Sequence, residues 1–372
     1  MESRRNPLEI PELVDHCVSL LSGQGKLSRL DLLSSCLVAR SWVQPSQYYL
    51  FHSPEDLSIR GSTSMSQLFD TLIENPHLIR YVRSLIISST TVLDKMCRIP
   101  FTHLQRIAIH TDFEGLEQWE GEAQLQLQQI FSISGLRVLD LCGDFSFFHP
   151  CFKNLSPTIH HLSLTCDPWT EEDLGVPQAS LSGLSLKSLD LCVSSDEECE
   201  IQLQSLDNAL FYPFDISNLE ALSVSQPFSI HWDSISKLAK QSLRVLNIFF
   251  DLPTPVDLSS FPNLTTLRLN NLTKPSCFSA TLSSVPSPRT IRTIILGRSS
   301  FFEGSKATPL DSLLSSFECS FPPMIECETP YSSAKEHDEL RSQFPILVSQ
   351  NRFRVTYHSD HSNWWEEMVD RM

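Results

Sequence analysis

Four short stretches decide how this chain reads: GLRVLDL (residues 135–141), NLEALSV (218–224), SLRVLNI (242–248) and NLTTLRL (263–269). Each has an apolar residue, two variable ones, then two apolar residues spaced two apart. Residues two apart share one face of a strand, so the pattern predicts a short strand buried on one side. Working outward, the pattern apolar-x-x-apolar-x-apolar recurs from residue 80 onward. Its copies are Val82/Leu85/Ile87, Leu104/Ile107/Ile109, Leu136/Leu139/Leu141, Ile159/Leu162/Leu164 and Leu186/Leu189/Leu191, then Leu219/Leu222/Val224, Leu243/Leu246/Ile248, Leu264/Leu267/Leu269 and Ile291/Ile294/Leu296. They start 22, 32, 23, 27, 33, 24, 21 and 27 residues apart, about 26 on average. One copy means little. Nine at this spacing make a repeat whose apolar face is buried only by stacking on neighbouring copies.

Pattern and spacing resemble leucine-rich repeats over roughly residues 80–300. The resemblance implies an α/β solenoid, a leucine-rich-repeat horseshoe with a parallel sheet. The asparagine that usually follows the strand is mostly missing, with Asn270 and Asn271 nearest to it, so the repeats are irregular. Strand alternation turns the residues between the apolar positions to the opposite, concave side. They form a mostly small and polar wall, suited to protein binding more than catalysis. Its candidate substrate-binding residues are Arg106, His110, Asp140, His161, Asp190, Asn247, Phe249, Arg268 and Asn270. Arg106 and Arg268 stand six repeats apart, too far for a compact phosphate clamp.

Between strands, helical spacing of apolar residues predicts helices near 64–74, 202–211, 230–241 and 309–317. The two longest steps carry acidic insertions at Thr111–Gln129 and Ser194–Tyr212. Ser315–Ser333, with Pro322, Pro323 and Pro330, reads as a loop. Glu336–Gln350 reads as a helix, and Phe353, Val355 and Tyr357 alternate as a strand that caps the array. The expected organisation is 1–55, 56–80 as linker and capping helix, 81–300 as the solenoid, and 301–372 as the C-terminal loop, helix and strand.

Residues 10–51 differ in character. IPELVDHCVSLLSG places Leu13, Cys17, Leu20 and Leu21 on one helical stripe after Pro11, a helix-start residue. RLDLLSSCLVARSW carries Leu32, Leu33, Cys36, Leu37 and Trp42. Ile10-Pro11, Asp31-Leu32-Leu33, the Cys36–Trp42 finish and the following SQYYLF resemble the F-box of fungal multigene families, which also continue into irregular leucine-rich repeats. Pro7-Leu8-Glu9-Ile10 offers a competing register for the opening. The resemblance implies a small all-helical unit that binds the Skp-type adaptor of a cullin ubiquitin ligase. Pro11, Leu13, Val14, Leu32, Leu33, Val38 and Trp42 would then meet the adaptor, and the repeats would hold a protein substrate. The alternative is a non-ligase interaction scaffold or inhibitor, in which the helical unit only caps the solenoid.

Composition narrows the field further. With 41% hydrophobic residues the chain has ample core material, and 28 basic against 44 acidic residues leave a net charge of −16. That surface disfavours nucleic acid and anionic membranes. Eleven glycines, no GxGxxG and no P-loop argue against a phosphate-cradling enzyme. The 11 cysteines form no CxxC pair and read as reduced thiols of a cytoplasmic or nuclear protein. No catalytic, cofactor or metal residues are expected. His160-His161, Cys151, Cys166, His358 and His361 are the weak exceptions, and Trp364-Trp365 is unusual for a tail.

Overall fold

The structure is a computed structural model, and it describes residues 10–22, 26–52, 62–89, 92–110, 121–143, 148–166, 184–193, 214–224, 237–248, 255–269, 275–285, 290–297, 307–316, 322–329 and 334–357. It is an α/β fold with parallel strands, and it divides into two compact units, Met1–Ile159 and His160–Met372.

The first unit opens with three helices, α1 (Pro11–Ser22), α2 (Lys26–Ser35) and α3 (Arg40–His52). Pro11 lacks an N–H and sits at the first helical position, where none is needed. The Ile10 carbonyl accepts from the amides of Leu13 and Val14 at 3.1 and 3.0 Å. The helices pack around Val14, Val18 and Leu32, with Trp42, Tyr49 and Leu50 against that core. The Ser35 and Ser46 hydroxyls, both buried and 2.6 Å apart, join α2 to α3.

Next come α4 (Ser62–Glu74), a 3-10 turn (Pro76–Tyr81), β1 (Ser84–Ile87), α5 (Leu93–Cys97), β2 (Arg106–His110), α6 (Glu122–Phe131) and β3 (Val138–Gly143). The expected helix at 64–74 is α4. Residues 122–129 of the insertion expected at Thr111–Gln129 are regular helix, part of α6. β1, β2 and β3 are parallel, with Leu85, Ile107 and Leu139 in register. Parallel neighbours need a crossover between them, which α5 and α6 supply.

The second unit contains β4 (His161–Cys166), β5 (Leu184–Ser185), β6 (Ser188–Val193), β7 (Phe214–Asp215), β8 (Ala221–Val224), β9 (Val245–Ile248), β10 (Thr266–Leu269), α7 (Pro275–Ser283), β11 (Thr293–Leu296), α8 (Ala307–Ser315), β12 (Met324–Thr329), α9 (Ala334–Gln343), α10 (Pro345–Ser349) and β13 (Phe353–Tyr357). Its main sheet runs β4-β6-β8-β9-β10-β11-β12-β13, and β5 pairs with β7. One row threads the sheet in register: Leu162, Leu189, Leu222, Leu246, Leu267, Ile294, Ile325 and Phe353.

Every residue of the nine apolar triplets is buried. The first member of a triplet closes a tight turn, as when the amides of Leu136, Leu219 and Leu264 bond to the carbonyls of Ile133, Ile216 and Phe261. That turn swings the first apolar side chain inward two residues before the strand begins. Full burial of each such side chain contributes roughly 1.5–3 kcal/mol, so the stacked rows dominate the stability of both units.

Two expectations at the C-terminal end are corrected. Within the supposed loop Ser315–Ser333 lies β12, whose Ile325 and Cys327 are buried. Pro322 stands where a repeat normally carries its first apolar residue, which hid the pattern. The helix expected over 336–350 is broken into α9 and α10, because Pro345 forces Phe344 out of helical geometry (φ −121°, ψ 56°). The helix at 309–317 is α8. The strand expected at 353–357 is β13, paired in parallel with β12. The expected helix at 202–211, most of that at 230–241 and the insertion at 194–212 lie outside the described residues.

Candidate partner-binding surfaces

The N-terminal helices put their apolar residues into two populations. Val14 and Leu32 are 1% and 0% exposed, while their neighbours Leu13 and Leu33 are 46% and 48% exposed. The expected stripe of Leu13, Cys17 and Leu20 is therefore the outward side of α1, and Val14 and Val18 are the inward one. Leu37 and Val38 follow α2 in a tight turn, where the amides of Leu37 and Val38 bond to the carbonyls of Ser34 and Ser35. That turn leaves both side chains exposed, Leu37 at 88%.

Of the residues named for the adaptor, Pro11, Leu13, Leu33 and Val38 are thus accessible. Val14 and Leu32 are core, and the half-buried Trp42 packs on that core. Ile10, Leu20 and Leu37, outside the residues named for the adaptor, are exposed apolar side chains as well. For Leu20 the signal was present in the sequence, because it falls out of helical phase with Val14 and Val18.

The opposite face of the strands differs from the open wall expected. In the second unit the side chains between the apolar rows close on one another. His161 Nδ1 lies 2.6 Å from the Ser188 hydroxyl, and both residues are buried. Ser163 donates to Asp190 Oδ2 at 3.2 Å, and Asn247 Nδ2 donates to the Ser223 hydroxyl at 2.9 Å. Arg268 on β10 donates to Glu328 on β12, and both are buried. Neighbouring strands stand about 4.8 Å apart, a spacing that lets short polar side chains satisfy each other along the row. His161, Asn247 and Arg268 are therefore structural here rather than open to a partner, and Asp190 is half-buried.

Burial draws the Arg268 guanidinium below its ordinary pKa, and the Glu328 carboxylate opposes that shift. In the first unit, His110 is exposed, and Arg106 lies 3.8 Å from Asp140 as a part-exposed ion pair. Phe249 and Asn270 lie outside the described residues, as do His358, His361 and the Trp364-Trp365 pair.

Thiol chemistry finds an unfavourable setting at Cys151. The side chain is buried, its Sγ donates to the Gln124 carbonyl at 3.7 Å, and burial pushes its pKa up to about 12. A nucleophilic thiol needs the opposite shift. Cys327, beside Glu328, is likewise pushed far up by burial. Among the described residues no three His, Cys, Asp or Glu side chains gather so as to hold a metal ion. No helix among them is long and apolar enough to cross a membrane.

No family model matches the chain, and no curated protein matches it. Among solved structures, it is similar to a crystal structure of a Bacteroides fragilis protein at 14% identity, covering 79% of this chain and 70% of that one with a TM-score of 0.33. A likeness that low carries no argument about function.

Proposed function

We propose that this chain is the substrate-recognition subunit of a Skp–cullin–F-box ubiquitin ligase. Residues 1–55 would serve as the F-box, and the stacked repeats as a leucine-rich horseshoe that holds a protein substrate. The carrying observation is the exposed apolar set Leu13, Leu20, Leu33, Leu37 and Val38 on a helical unit whose own core is already filled by Val14, Val18 and Leu32. Apolar side chains displayed this densely mark a docking surface. The role is non-catalytic. Holding a substrate near the charged conjugating enzyme raises its effective concentration without new chemistry. Among the described members of the polar face, Arg106, His110, Asp140 and Asp190 keep exposed surface with which to meet a substrate. Cytoplasm or nucleus is the compartment that fits this role.

A second reading has its own support: α3 packs against the 3-10 turn that precedes β1, as a cap would. Co-expression with a Skp-type adaptor, followed by size-exclusion chromatography, separates the two. A 1:1 complex that Leu13→Asp abolishes, in a chain that still folds, supports the ligase role. A folded chain that forms no complex makes the helical unit a cap and the protein an interaction scaffold or inhibitor.

A further inference from the structure

We infer that β13 is the docking edge for a second copy of this chain, the two strands pairing antiparallel about a two-fold axis at Val355. The inference does not rest on the ligase reading. Among the described residues β13 is the last strand of its sheet and pairs only with β12. Its repeat is less covered than those before it. The paired apolar residues of the earlier strands are buried, whereas Phe353 and Val355 are half-buried. On α10, just before β13, Ile346 and Val348 are 39% and 37% exposed. Being an end strand does not by itself leave a strand open, because β1 pairs only with β2 and still buries Leu85 and Ile87. Repeat arrays stay soluble by giving the terminal repeat a polar outer face. Apolar side chains left there mark a contact surface.

The ladder to β12 shows what the free edge offers. Ile325 is in register with Phe353, and its amide donates to the Arg352 carbonyl at 2.8 Å. Bonding residues alternate along a parallel strand. Arg354 and Thr356 therefore turn their backbone groups toward β12, and Phe353, Val355 and Tyr357 turn theirs outward. Such a row of outward N–H and C=O groups is a template for another strand. A second β13 fits it. Centred on Val355, the antiparallel pair sets Val355 opposite its counterpart, Phe353 opposite Tyr357, and Arg354 opposite Thr356. Centred on Arg354 instead, it sets two exposed arginines face to face, and like charges so placed repel. Each Arg354 already has Glu326 at 3.9 Å on its own sheet, so the edge does not call for an acidic peptide. The terminal repeat exposes apolar side chains in its helix layer as well as its strand layer. An extended peptide covers only the strand, whereas the same repeat of a second copy supplies both layers, as a two-fold contact does.

Sedimentation equilibrium of the full chain in the micromolar range tests this. It is run at about 0.15 M salt, where the −16 charge of each copy is screened beyond about 8 Å. The wild type sediments at twice the mass of one chain. Val355→Pro removes an amide that points outward, so the ladder to β12 keeps its bonds, and this variant sediments as a monomer. Val355→Cys cross-links to its counterpart under mild oxidation, above the wild-type level, because a hydrogen-bonded antiparallel pair holds its Cα atoms about 5.5 Å apart. A monomeric wild type overturns the proposal, and slow amide exchange at Val355 in that monomer gives the edge to residues 358–372. A dimer that Val355→Pro leaves intact overturns it too. So does a Val355→Cys chain that cross-links no more than the wild type, and this result decides the matter if the proline variant does not fold.

Discussion

The ring of Tyr48 on α3 meets the ring of Tyr81 edge to face, with centroids 6.4 Å apart and planes at 88°. Tyr81 is buried at the end of the 3-10 turn that leads into β1, and the Arg80 guanidinium lies over its ring at 4.7 Å. The contact ties the N-terminal helices to the first repeat. A chain lacking residues 1–60 is therefore expected to expose Tyr81 and to aggregate, as light scattering would show. Tyr81→Ala in the full chain is expected to lower stability by roughly 3 kcal/mol. A monodisperse, fully stable truncation would mean that the helices do not seal the array.

Adjacent leucines on α2 should behave oppositely. Leu32 is fully buried against Val14 and Val18, so Leu32→Ala is expected to cost roughly 2–5 kcal/mol in denaturant unfolding. Leu33 is about half exposed, so Leu33→Ala should change stability by no more than about 0.5 kcal/mol. If the adaptor docks here, the Leu33 variant loses affinity while its melting temperature holds.

Cys151 should resist alkylation. With its pKa pushed up to about 12 from an ordinary 9.0, its thiolate fraction at pH 8 is on the order of one in ten thousand. Mass mapping after iodoacetamide treatment at pH 8 should find it unmodified in folded protein. The same shift has a stability consequence. The folded chain keeps the proton that the unfolded chain releases, so this contribution is complete below about pH 9 and is lost as pH rises toward 12. The loss is at most about 1.4 kcal/mol per pH unit. Cys151→Ala should flatten that part of the stability profile.

Asp311 offers a test inside the C-terminal region. Its two oxygens each accept one backbone amide of α10. Asp311→Ala should lower the stability of the second unit by about 2 kcal/mol, and Asp311→Asn, which keeps one acceptor oxygen, by about half that. A urea midpoint unchanged by the alanine variant would show that α10 holds its first turn without the cap.

Much of the α/β array was legible in the chain. The spacing of Leu139 and Leu141, repeated at Leu246 and Ile248 and at Leu267 and Leu269, determines which residues share a strand face, and the structure pairs those strands in parallel. Local turn geometry then buries the first member of each triplet, a rule written in a handful of neighbouring residues. What pattern alone could not decide was which polar residues stay wet. Asn247 and Arg268 occupy positions that read as solvent-facing, yet Asn247 finds Ser223 on the next strand and Arg268 reaches Glu328 across an intervening strand, 60 residues along the chain. The same holds for Val14 against Leu13 and for β12, whose proline-led opening breaks the repeat's signature but not its register. Periodicity is a property of neighbours in sequence. Burial of a polar side chain depends on partners that only the stacking of distant strands brings within hydrogen-bonding reach.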